Sequence, residues 1–122
     1  MNPKKMKLLP QHIELWYIIP AIRREFAIEM SKHRMKSVEI AEILGVTRAA
    51  VSQYFSKTRA VEFKFGNKAR KEIRESTRKI IDKRNSNAEI QRIINIMRED
   101  KSICRFHNLK EKLDNNCNIC FE

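Results

Sequence analysis

The residues best suited to chemistry stand near the C-terminal end. Cys104-Arg-Phe-His107 and Cys117-Asn-Ile-Cys120 are two pairs of potential metal ligands, each with two residues between its members, and nine residues join the pairs. That spacing lets a tight turn aim both side chains of a pair at one ion, and the connector is long enough to fold back. Three thiolates and one imidazole suit tetrahedral zinc. Coordination free energy would also order a short polar segment that has no large core of its own. Zinc is therefore the expected metal, with an iron–sulfur cluster holding one histidine ligand as the alternative. A plainer reading stands beside it: Cys117 and Cys120 as a free or reversibly oxidised pair, Cys104 as a packing thiol and His107 as a surface residue. All three cysteines fall in the last 19 residues, an odd number in one corner, which is not how a secreted disulfide framework is laid out.

A second constellation lies between Ser37 and Ala60. The apolar positions Ile40, Leu44, Val46, Val51 and Tyr54 fall where two short helices crossing near a right angle would bury them against each other. Ala41 occupies the place in the first helix where the second passes closely. Gly45 takes the corner, where a left-handed backbone is cheap only without a Cβ. Thr47 can cap the second helix through its hydroxyl, and Ser37 the first.

The stretch VEIAEILGVTRAAVSQYFSKTRA resembles the helix-turn-helix of lambda-repressor-like regulators, with alanine, glycine and valine at the three diagnostic places. The resemblance implies that the second helix enters the major groove of double-stranded DNA and that its early outward residues meet base edges. By position these are Thr47, Arg48, Ala49, Ser52 and Gln53, with Ser56, Lys57 and Arg59 set for phosphates. The chemistry agrees: Arg48 can donate two hydrogen bonds to guanine, Gln53 can pair bidentately with adenine, and Ala49 or the Thr47 methyl can touch a thymine methyl. Each of these positions also suits a merely solvated helix face.

The flanking elements must hold those two sites. Gln11 to Met35 reads as helix, with Ile13, Trp16, Tyr17, Ile19, Ile22, Phe26 and Met30 on a broad apolar stripe. Pro20 interrupts it, as a kink or as the opening of a second piece. His12 and His33 stand alone, with nothing at ligand spacing. Val61 to Phe65 alternates apolar and charged residues, as a short half-buried strand or an extended linker would. Asn67 to Lys83 is an amphipathic helix with Ala69, Ile73, Ile80 and Ile81 on a narrow stripe and a solvated basic face. Ser86 and Glu89 form a capping-box pattern ahead of Ile90, Ile93, Ile94, Ile96 and Met97. Apolar on more than one side, that helix should pack on its predecessor or on a second subunit.

The fold class expected is thus mostly α: a helix-turn-helix bundle over residues 1–60, an extended segment plus helices over 61–100 as the dimerisation region, and a Cys/His metal-binding tail over 101–122. The arrangement of IIPAIRREFAIEM, the helix-turn-helix and a cysteine-rich end resembles archaeal regulators of the repressor-like class, many of which carry a further Cys-x-x-Cys pair on the helix before the tail. Here Gln91 and Ile94 stand in those places. The departure leaves four ligands intact and argues against a larger or multinuclear cluster.

Charge points the same way. Lys and Arg number 26 against 15 acids, a formal net charge of +11, which favours a polyanionic partner because each neutralised phosphate releases counterions. No run of ~20 apolar residues and no signal-peptide core is present, so a cytosolic location is expected. A module reading few base pairs implies a homodimer on a palindromic operator. The alternative is an antitoxin-like or accessory factor whose C-terminal half binds another protein while the helix-turn-helix serves autoregulation. Catalysis is not expected, for there is no His-x-Glu pair, no phosphate-cradling glycine loop and no Ser/His/Asp set.

Overall fold

The structure, a computed structural model, describes residues 9–111, and among these every regular element is helical. The first helix, α1 (Pro10–Ile13), is a single turn whose start is closed by His12: its Nδ1 accepts from the Leu9 amide at 3.0 Å. A π-helical turn follows at Glu14–Ile18, then α2 (Ile19–Lys32). Proline accounts for the wide turn. Pro20 brings no N–H, and its ring would strike the carbonyl four residues back in a continuous α-helix. Widening the preceding turn moves that carbonyl away, and the Ile19 amide bonds instead to the Glu14 carbonyl.

Two eight-residue helices come next, α3 (Ser37–Leu44) and α4 (Arg48–Phe55). Lys36, not Ser37, sits at the cap of α3, and its amide is satisfied by the Glu39 carboxylate at 3.3 Å. Ser37 therefore caps nothing, because the helix begins one residue earlier than its hydroxyl would need.

The Val61 to Phe65 stretch makes no strand. It is an irregular linker that keeps the expected alternation only in part: Phe63 is buried and Phe65 partly so with Glu62 and Lys64 outside, but Val61 is exposed as well. Without a second extended segment to pair with, alternation alone builds no ladder. Beyond it lie α5 (Asn67–Lys83), α6 (Asn87–Glu99) and α7 (Ser102–Glu111).

Ile90, Ile93, Ile94 and Met97 of α6 are all buried within the chain, which packs this helix against α5, α2 and α7. The Ser86–Glu89 capping box does not form. Ser86 Oγ is buried without a hydrogen-bond partner, while the Asn85 side chain accepts from the Asn87 amide at 2.9 Å. Glu89 turns instead to Arg92, whose guanidinium also reaches Glu72 at 2.8 Å and the Ser76 hydroxyl on α5. One arginine thus satisfies polar groups on both helices. Thr77, fully buried on the same face of α5, donates to the Ile73 carbonyl at 2.8 Å.

A single apolar cluster runs from Ile13 through Phe26, Ile40, Val51 and Ile73 to Ile103. The Glu14 carboxylate, buried at the π turn, takes two hydrogen bonds of 2.6 Å from Arg98 on α6 and pins the first turns to the later helices. No helix among the described residues is long and apolar enough to cross a membrane.

Candidate functional site

Gly45 adopts φ +69°, and the amides of Gly45 and Val46 return to the carbonyls of Glu42 and Ala41 at 3.3 and 3.0 Å. This closes α3 with a left-handed residue and redirects the chain within two positions. Thr47 then opens α4: its hydroxyl accepts from the Ala50 amide at 3.0 Å. Ala41, Leu44, Ala50, Val51 and Tyr54 are buried between these helices and α2. The α2 residue Arg24 donates from Nε to the Tyr54 carbonyl at 3.3 Å, which also accepts from the Lys57 amide at 3.3 Å, so the end of α4 is tied to α2.

The inward face of α4 being so committed, the other face is left to solvent. Thr47, Arg48, Ala49, Ser52 and Gln53 are all exposed, as are Ser56, Lys57 and Arg59 in the turn that follows. From residue 43 to residue 61 the chain has no carboxylate but carries Arg48, Lys57 and Arg59. That stretch of chain brings no like charge of its own to a phosphate or a base edge.

Within the trailing turn the three residues Ser56, Lys57 and Arg59 divide. The Ser56 hydroxyl lies 3.0 Å from that of Thr58 and 3.3 Å from the Gln53 carbonyl, so it is occupied in ending α4. Lys57, at φ +62°, lines a groove with Arg24, Lys32, Lys64 and Arg70 and with the acids Glu25 and Glu29. Arg23 and Arg59 both lie near the Tyr54 hydroxyl; burial holds that hydroxyl above its ordinary range despite the two cations, so it stays protonated at neutral pH.

At the other end, Cys104 and His107 lie one turn apart on α7, both buried. Neither His107 nitrogen has a hydrogen-bond partner among the described residues. A buried imidazole with both nitrogens unspent is costly unless something binds it, and a metal ion is what a neighbouring thiol and imidazole would hold. Cys117 and Cys120 lie outside the described residues. No group of three potential ligands occurs among those described.

Sequence reasoning missed the part of the π turn and α2 that faces the trailing turn of α4, namely Trp16 and Arg23. No spacing rule joins residues some forty positions apart. No protein-family model, curated protein or solved structure matches the chain.

Proposed function

We propose that this chain is a sequence-specific DNA-binding regulator in which α3 and α4 form a lambda-repressor-like helix-turn-helix and α4 is the recognition helix. The observation that carries this reading is the division of α4: Val51 and Tyr54 are spent on the core, while Thr47, Arg48, Ala49, Ser52 and Gln53 face outward, in a stretch of chain from residue 43 to residue 61 that holds no acid. Arg48 is one residue past the cap, where a recognition helix first meets base edges. Lys57 flanks it for phosphate, where its charge contributes affinity but no sequence information.

In this reading the protein binds as a homodimer on two half-sites. Since the apolar face of α6 is already covered within the chain, the dimer surface is sought elsewhere, and Leu9 and Leu15 are the most exposed of the large apolar side chains, ahead of Trp16, Val38, Phe55 and Val61. The tail holds a metal through Cys104, His107, Cys117 and Cys120, with zinc favoured over an iron–sulfur cluster. The two orphaned nitrogens of His107 support that assignment.

Selection from a randomised duplex library tests the reading. A defined half-palindrome should emerge, and Arg48→Ala should weaken binding to it by about 1–3 kcal/mol while binding to random DNA barely changes. An equal loss on every sequence would make Arg48 a phosphate contact, and no enriched sequence at all would sink the assignment.

A further inference from the structure

Between the π turn with the start of α2 on one side and the trailing turn of α4 on the other lies a cleft of about 370 Å³. Its walls include Trp16, Tyr17, Pro20, Arg23, Tyr54 and Arg59. That volume is within the range of small-molecule sites, which pair apolar walls with a few polar groups.

Three features suggest what would fill it. Trp16 is 53% exposed although its ring stacks on His12 with centroids 5.0 Å apart, so much indole surface stays in water beside the cleft. Arg23 is half-buried and its Nε is fully buried without a hydrogen-bond partner; among the described residues no carboxylate pairs with it. Arg59 supplies a second guanidinium on the facing wall, against the single carboxylate of Glu62 at the rim. A guanidinium drawn partly out of water without an acid is an anion site in waiting, since its fork matches carboxylate and phosphate.

We propose that this cleft binds a small organic anion, a flat apolar or aromatic body carrying one carboxylate or phosphate, and that its occupancy alters DNA binding. The coupling is mechanical. Tyr54 and Arg59 belong to the proposed recognition helix and the turn behind it, so a ligand bridging them to Arg23 on α2 fixes how α4 sits on α2. The regulatory half rests on the DNA-reading proposal; the binding half does not.

Trp16 is the chain's single tryptophan, so its fluorescence reports the cleft directly. Benzoate and phenyl phosphate should each change Trp16 emission saturably, with dissociation constants on the order of 1 mM for ligands of about ten heavy atoms. Benzyl alcohol and inorganic phosphate, each lacking half of the chemistry, should bind at least about tenfold more weakly. Arg23→Gln, with its helicity checked by circular dichroism, should cost the anions about tenfold. If that variant does not fold, Arg59→Gln in the exposed turn should give a loss of the same sign.

On the selected duplex, saturating phenyl phosphate should shift DNA affinity about fivefold or more. The proposal is overturned if neither aromatic anion gives a saturable response, if benzyl alcohol does as well, or if folded Arg23→Gln binds unchanged. DNA affinity that ignores the bound anion overturns the regulatory half. Should Arg23→Gln weaken every DNA sequence while the fluorescence stays silent, the arginines serve the DNA backbone instead. Failure to select any duplex would sink the regulator reading and the coupling together, and the anion site would still be decided by fluorescence.

Discussion

Gly45 stands where α3 ends and the chain turns, and its φ of +69° is a conformation that side chains with a Cβ disfavour. A Cβ built there meets nothing within 4 Å, so the cost of substitution is backbone strain alone. Gly45→Ala should lower stability by about 1 kcal/mol in a denaturant titration; a loss several times larger would mean a steric role that the open space does not allow. Lys57 offers the opposite case. It ends α4 at φ +62° with a side chain, so Lys57→Gly should gain about 0.5 kcal/mol of stability while weakening DNA binding on all sequences alike. Opposite signs in the two measurements separate the residue's backbone role from its charge. Gly45 and Thr47 were legible in the sequence because glycine and threonine have few other reasons to stand two apart after an apolar run. Lys57 was legible as a cation only, because nothing in a lysine announces a left-handed backbone.

At the scale of elements, periodicity revealed α5 from Asn67 to Lys83 and found the buried isoleucines of α6, but it misjudged what closes and joins the helices. Ser86 and Glu89 have the spacing of a capping box, yet Glu89 serves Arg92, which in turn reaches Glu72 and Ser76 across the helix pair. Capping rules are local, whereas Arg92 makes a better offer from a neighbouring turn. The pair carries a pH signature. The Arg92 guanidinium hydrogen-bonded to Glu72 holds that carboxyl below the ordinary glutamate value. A carboxyl lowered in the folded state adds stability above its unfolded pKa of about 4.3, and the contribution disappears as pH falls through the lower folded value. Glu72→Gln should therefore melt below the parent at pH 7, by less than about 1 kcal/mol because both side chains are partly solvated, and the gap should close on acidification below about pH 4. A gap that persists unchanged in acid would assign the difference to packing.

The whole molecule joins its two candidate sites through one core. α7 packs on α1 and α6, and Phe106 meets Tyr17 and Phe63 edge-on, with ring centroids 5.3 and 5.1 Å apart. The helix bearing Cys104 and His107 thus leans on the same short turns that flank the Trp16 cleft and, through Phe63, on the linker out of α4. None of this was visible in the sequence, where the tail looks like an appendage: aromatic contacts between positions 17, 63 and 106 follow from the path of the chain, and no local pattern encodes them. A metal held by Cys104, His107, Cys117 and Cys120 would consequently stabilise more than the tail. Anaerobically purified protein should carry one equivalent of zinc by elemental analysis, or colour with iron and sulfide in the alternative case. Stripping it with a chelator should reduce helicity by about the length of α7 and lower the melting temperature of the whole chain, because metal-binding free energy acts as folding free energy wherever the site is absent from the unfolded state. Cys117→Ser/Cys120→Ser should reproduce both losses without chelator. If the double variant and the stripped protein melt like the parent and keep their helicity, α7 is held by Ile103 and Phe106 alone, and the ligand pairs have no structural metal to share.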